Sequence, residues 1–139
     1  MKETLCTIAG LAGAAVAHAF GGFDAGLKTL LICMIIDYAS GLVVAGIFKN
    51  SPKSQGGALQ SSACLKGIVR KIMRLCLVVL AHRMDLVIGG DWIRDVAIIG
   101  FITNEGISII ENAGLMGIKM PAALTKAIDI LQEKAQKGA

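Results

Sequence analysis

Residues 29–48, TLLICMIIDYASGLVVAGIF, decide the fold of this chain. A single charged residue, Asp37, interrupts an otherwise apolar run. A helix needs about 20 largely apolar residues to cross the hydrocarbon core of a bilayer, and this run has that length. The stretch therefore predicts a transmembrane helix, which makes the chain a membrane protein.

The composition of the whole chain supports the same prediction. Hydrophobic residues make up 55% of the 139 residues, charged residues make up 17%, and the mean hydropathy is +0.68. Soluble domains carry about 25% charged residues. The chain also has 17 glycines and only 4% aromatic residues, a composition typical of closely packed membrane helices. We expect one membrane domain over residues 1–139.

Three more windows, residues 5–23, 68–90 and 92–110, have nearly the length and apolar content of a span. The predicted fold is therefore an all-α integral membrane protein with about four transmembrane helices. Residues 121–137 predict an additional amphipathic helix, which starts at Pro121 and places Leu124, Ile128 and Leu131 on one face. We expect this last helix on the inner membrane surface or docked on a neighbouring subunit.

The segment between the second and third windows is polar and predicts a loop over residues 49–63. From Lys49 to Arg74 the sequence contains no acidic residue. Such basic segments stay in the cytoplasm during insertion, which places both termini inside and Trp92 at the outer boundary. The cytoplasmic basic cluster comprises Lys49, Lys53, Lys66 and Arg70.

The N-terminus resembles a secretory signal, because Lys2 precedes an apolar stretch and an Ala17-His18-Ala19 site. Glu3 offsets Lys2, so we expect the first helix to be retained. Small residues recur at helical spacing on this helix and once on the second: Gly10, Gly13, Ala14, Ala17, Gly21 and Gly41. Such residues let helix backbones approach closely. They could pack inside one subunit, or they could line a hole or join neighbouring subunits.

Charged residues inside the predicted spans need partners, because each costs at least about 2.5 kcal/mol at the bilayer centre. Matched depths, counted at about 1.5 Å of rise per residue, predict two ion pairs. Asp37 pairs with Arg83 nearer the outer surface, and Arg74 pairs with Glu105 nearer the inner surface.

The third and fourth helices should also carry polar faces. These faces comprise Lys71, His82, Asp85, Asn104, Ser108, Glu111 and Asn112. They could meet inside the bundle and neutralise each other, line a water-filled lumen, or form a proton relay or ion site.

Catalysis and metal binding have little support in the sequence. The cysteines Cys6, Cys33, Cys64 and Cys76 are dispersed, and no pair has a metal-ligand spacing. His18 and His82 stand near no nucleophile arrangement. We expect no enzyme activity, no cofactor and no nucleic-acid partner.

Three segments together resemble the holins of Gram-positive bacteria and their phages, which act in phage lysis and toxin secretion. They are IIDYASGLVVAGIF at 35–48, SSACLKGIVRKI at 61–72 and NEGISIIENAGLMGIKMPAAL at 104–124. The resemblance implies a multi-pass protein of the bacterial cytoplasmic membrane that assembles with copies of itself. The resulting holes would release a cell-wall hydrolase or a toxin. The alternatives are a small ion channel or transporter that uses Asp37, Glu105 and His82, and a structural subunit of a membrane complex.

Overall fold

Five α-helices make up the fold in the computed structural model, which describes residues 1–53 and 55–138. They are α1 (Lys2–Ala19), α2 (Ala25–Val43), α3 (Ser61–Ile88), α4 (Ile93–Leu115) and α5 (Ala122–Lys137). A π-helical turn, Val44–Phe48, extends α2, and a short 3-10 turn, Gln55–Gly57, lies in the loop before α3. The all-helical prediction is confirmed for the described residues. Among them, one helix, Ala25–Phe48, is long and apolar enough to cross a membrane on its own composition.

Helix α3 begins at Ser61, earlier than the predicted residue 68, so the loop is shorter than predicted. Hydropathy marks where a segment becomes apolar, whereas a helix also accommodates polar residues such as Lys66 and Arg70 on an exposed face. Lys66, which lay between the predicted loop and the predicted helix, is therefore part of α3, as is Arg70.

Two acidic side chains cap helix starts. Asp24 accepts a hydrogen bond from the Leu27 amide at 2.9 Å and so caps α2. Asp85, near the end of α3, accepts from the amides of Ile93 and Arg94 at 2.9 and 2.8 Å. Because it satisfies two amides that the first turn of α4 leaves unpaired, Asp85 fixes the tight turn between α3 and α4.

Helices α2, α3 and α4 enclose the apolar core. Leu27, Leu30 and Met34 on α2 meet Val78 on α3 and Ile98 on α4, and all five side chains are buried. This core lies toward the end of the bundle that carries the α1–α2 and α3–α4 turns. In the other half of the bundle, buried polar groups lie beside the buried apolar residues Val44, Ala45 and Ala113.

Helix α5 turns back along α4 of the same chain. A Cβ atom built at Gly106 would lie 2.8 Å from Cδ1 of Ile128, and one at Gly100 would lie 4.0 Å from Cβ of Ala135. The expectation that α5 lies on the inner membrane surface or on a neighbour is therefore wrong for this structure. The glycines leave a shallow surface on α4, which accepts the apolar face of α5.

Helix α1 has no buried residue. Nothing lies within 4 Å of a Cβ built at Gly10 or Gly13, so the predicted small-residue face has no partner there within the described residues. Gly21 differs, because its φ is +77° and a Cβ would lie 2.5 Å from Nδ1 of His82. Both its backbone and its neighbour require glycine.

Candidate functional site

Lys71 lies at the centre of a buried charge network that joins α2, α3 and α4. Its Nζ atom lies 2.7 Å from Oδ2 of Asp37 and 2.5 Å from Oε2 of Glu105. The Glu105 side chain is fully buried, with 0% exposure. One lysine of α3 thus bridges carboxylates on both neighbouring helices.

Arg74 lies one turn further along α3 and donates from Nη1 to Oε1 of Glu105. The predicted Arg74–Glu105 pair is therefore present. Glu105 receives two cationic donors, Lys71 and Arg74, whereas the sequence suggested only one. Hydrogen bonds to charged donors are the stronger kind, and two of them offset the cost of burying the carboxylate.

The predicted Asp37–Arg83 pair is wrong. Asp37 binds Lys71, while Arg83 is exposed. The prediction matched depth along the helices but not rotation about their axes. Arg83 follows Lys71 by twelve residues, which turns it by about 120° from the face of α3 that meets Asp37.

Asn112 on α4 completes the network. Its Nδ2 atom donates to Ser40 Oγ at 2.8 Å, to Asp37 Oδ1 at 3.2 Å and to the Asp37 carbonyl at 3.3 Å. A Cβ built at Gly41 would lie 3.8 Å from the same nitrogen, so Gly41 faces Asn112. Among the described residues, every buried side-chain nitrogen and oxygen has a hydrogen-bond partner.

Arg94 forms a second ionic cluster at the opposite end of the bundle, which the sequence analysis missed. Its Nη1 atom lies 2.6 Å from Oδ2 of Asp24 and 3.1 Å from Oδ1 of Asp95, and Nη2 donates to the Gly22 carbonyl at 3.1 Å. The hydrogen bond from Arg94 holds the pKa of the Asp24 carboxyl below its ordinary value. The one local signal was the helix-capping position of Asp24.

The remaining predicted residues have separate surroundings. Ser108 accepts from Lys53 Nζ at 3.4 Å, whereas Asn104 and Glu111 are exposed. His82 packs on Gly21 and Asp85 caps α4, so the predicted stripe on α3 serves several contacts rather than one surface. Lys49 is exposed at the end of the π-helical turn, with φ +49°. No cluster of metal-ligating side chains occurs in the described part of the chain.

Compared with a soluble domain, the interior holds many polar and charged side chains and the surface holds many large apolar ones. Among the described residues, seven buried polar or charged residues accompany nine buried hydrophobic ones. Large apolar side chains cover the outside, with Val87 86% exposed, Ile35 68% and Leu80 53%. Soluble monomers rarely expose apolar surface on this scale. Fold and site together define a helical membrane protein with a charged interior.

The chain belongs to the bacteriophage holin family, whose sequence pattern it matches over residues 14–133. The family implies a membrane location, and its members are in general not enzymes. This match confirms the resemblance drawn from residues 35–48, 61–72 and 104–124.

The individual relatives agree with this assignment. An uncharacterized protein of Listeria innocua is 38% identical over 124 residues, covering 88% of this chain and 83% of its own length. One of Halalkalibacterium halodurans is 36% identical over 143 residues, covering 99% of this chain and 100% of its own. A protein of Bacillus phage phi105 named "Probable holin" is 30% identical over 107 residues, 76% of this chain and 73% of its own. No solved structure matches the chain.

Proposed function

We propose that the chain is a holin that crosses the bacterial cytoplasmic membrane several times and assembles with copies of itself into holes. Through these holes a cell-wall hydrolase or a secreted toxin leaves the cytoplasm, which ends in lysis of the host cell. Family membership and the phage relative named as a holin support this proposal.

The observation that carries the proposal is the charged interior inside an apolar exterior. Lys71, Arg74 and Glu105 would each cost at least about 2.5 kcal/mol in a bilayer if they were unpaired. In the bundle they bind one another, and Asp37 binds Lys71. Because these charges neutralise one another, α3 and α4 could cross a membrane. Their composition alone would not identify them as membrane spans, since it counts every charged residue as unpaired.

The topology follows from the positions of the basic residues. With the segment 49–60 inside, α2 and α3 run in opposite directions, and the turn 89–92 with Trp92 lies outside. We place α1, α2, α3 and α4 as the spans of a single domain, with the N-terminus and the turn between α4 and α5 in the cytoplasm. Helix α5 then runs back along α4 toward the outer end. Arg94 and Asp24 then stand at the outer end, where water remains accessible.

Helix α1 has an exposed surface of small residues that could serve self-association. Its small residues Gly10, Gly13 and Ala14 are exposed. In a bilayer, surfaces of this kind favour close helix contacts between chains. We propose that α1 contributes the contact between subunits.

One experiment separates this function from its alternatives. The chain is expressed alone in a bacterium, and the release of a cytoplasmic reporter enzyme is measured together with the membrane potential. A holin that releases proteins causes both reporter release and loss of potential. Loss of potential with the reporter retained indicates an ion channel, and an unchanged membrane indicates a structural subunit; either result contradicts the proposal.

A further inference from the structure

A cavity of about 350 Å³ opens between α2, α3 and the segment 49–60. This volume lies within the range of small-molecule sites, which is roughly 300–1,000 Å³. Five cationic side chains line it, together with the carboxylate of Asp37. The cationic residues are Lys53, Lys66, Arg70, Lys71 and Arg74.

The chain neutralises only some of this charge. Asp37 and Glu105 bind Lys71 and Arg74, as described above. Lys53 donates to the uncharged Ser108 hydroxyl and attracts Asp37 only beyond ion-pair distance, and Lys66 and Arg70 have no hydrogen bond or ion pair within the described residues. An anion in the cavity would have three cations available to it without breaking the buried network.

The wall of the cavity is also partly apolar, with Leu42, Ala45, Leu59 and Ala63 on its surface. Outside it, Leu65 and Val69 on α3 are exposed by 62% and 56%. A soluble anion gains nothing from such surroundings. A lipid can place its phosphate among the cations and its glycerol and acyl chains on the apolar side.

We propose that this cavity binds the phosphate headgroup of an anionic phospholipid in the inner leaflet. The inference rests on the membrane placement proposed above, which brings residues 49–70 to the cytoplasmic surface. Basic pockets between helices on the cytoplasmic side suit anionic headgroups in general. A bound lipid would join α2, α3 and the segment 49–60, and it would make the assembled state depend on the anionic lipid content of the membrane.

The test uses the purified full chain in detergent micelles. Native mass spectrometry follows the binding of phosphatidylglycerol and of phosphatidylcholine with the same acyl chains. Phosphatidylglycerol should bind preferentially, and Lys66→Gln with Arg70→Gln should weaken that binding by about tenfold or more, because each basic residue near an anionic surface contributes appreciably. Lys119→Gln with Lys126→Gln removes the same charge from exposed positions elsewhere and should leave the binding unchanged. The exchange Lys66→Arg with Arg70→Lys keeps both charges and should retain it.

Three results would overturn the proposal: no preference for phosphatidylglycerol, equal loss in both double variants, or no loss in either. Inorganic phosphate and glycerol phosphate are added as competitors in a second arm. Displacement of the lipid by millimolar concentrations of either one would assign the cavity to a soluble anion instead. Release of an encapsulated protein from vesicles of phosphatidylcholine alone tests the holin function separately, so the two proposals can fail independently.

Discussion

At the scale of single residues, Glu105 depends on its two cationic partners more than any other charged group of the bundle. It is fully buried and bound by Lys71 and Arg74. Removing one partner of a buried ion pair strands the other, which typically costs about 3 to 5 kcal/mol. The neighbouring Glu111 is exposed on the same helix and supplies a matched comparison.

We therefore expect Glu105→Gln to lower the thermal stability and the cellular accumulation of the chain strongly. Glu111→Gln should change both by little, since surface substitutions usually stay within about 0.5 kcal/mol. Adding Arg74→Gln to Glu105→Gln should recover part of the loss, because one stranded charge is removed. Thermal unfolding in detergent measures all three variants, and equal stability of the two single variants would contradict the assignment of Glu105 as a buried anchor.

The stability of the folded chain should depend on pH through the ionisation of Asp24. The folded state lowers the pKa of its carboxyl because the Arg94 guanidinium donates to it. A lowered folded-state pKa means that the ionised carboxylate contributes stability above its unfolded pKa, and that this contribution is lost as the pH falls through the folded value. Asp24→Asn keeps a helix-capping side chain but removes the charge.

The wild-type chain should therefore be more stable than Asp24→Asn at neutral pH, and the difference should shrink as the pH falls below the ordinary pKa of an aspartate. Thermal unfolding of both chains between pH 7 and pH 3 measures this difference in stability. The other carboxylates titrate alike in the two chains, so their effect cancels in the difference. A difference that is constant over this range would exclude the Asp24–Arg94 ion pair as its source.

The sequence predicted the positions of site residues along the helix axes, but it did not predict their rotation about those axes. Depth along a helix is read from residue number, and it found the Arg74–Glu105 pair. Rotation about the helix axis and the choice among nearby cations are set by packing, so Lys71 was assigned to a polar face and not to Asp37. Arg94 lay in the predicted window 92–110, where hydropathy gives apolar content but no information about the partners of a charged side chain.

At the scale of helices, periodicity and apolar length predicted the existence of all five. Hydropathy could not predict that α5 packs on α4, since Gly100 and Gly106 provide the space and their effect depends on rotation. An engineered disulfide can test this packing. A Cβ at Gly100 would lie 4.0 Å from that of Ala135, within the roughly 3.5 to 4.5 Å that a disulfide spans.

In a background with the four native cysteines replaced, Gly100→Cys with Ala135→Cys should form an intramolecular disulfide under mild oxidation. Gly100→Cys with Gln136→Cys is the control, because the next helical residue points about 100° away. Gel mobility with and without reductant reports the bond. Equal or absent cross-linking in both pairs would indicate that α5 leaves α4 in the membrane.

Helix α1 is the expected contact between subunits, and a single substitution can test it. Gly13→Leu meets no neighbour inside the subunit, so it should leave insertion and the fold intact. It should reduce oligomer formation and delay lysis, because the added side chain prevents close helix approach. Ala12→Leu is an exposed control one position along the helix. Cross-linking in membranes measures the oligomers, and unchanged oligomers in Gly13→Leu would remove α1 from the subunit contact.

At the scale of the whole molecule, the charged residues of α3 and α4 bear on how many of the helices cross the membrane. Only α2 with its extension qualifies by composition among the described residues. A hydropathy score for α3 and α4 treats Lys71, Arg74 and Glu105 as if each were unpaired, although these groups bind one another. Sequence alone therefore understates how well the bundle fits a bilayer, because the offset appears only when the helices pack.

The topology itself predicts which loops are accessible from outside. With the native cysteines replaced, Gln55→Cys lies in the segment proposed to be cytoplasmic, and Asp91→Cys lies in the exposed turn between α3 and α4. A membrane-impermeant thiol reagent should label Asp91→Cys in intact cells, and it should label Gln55→Cys only after the cells are opened. The assay is made before lysis begins, because a hole would admit the reagent. Labelling of both positions from outside, or of neither, would mean that α3 does not cross the membrane, whereas the reverse pattern would invert the proposed orientation.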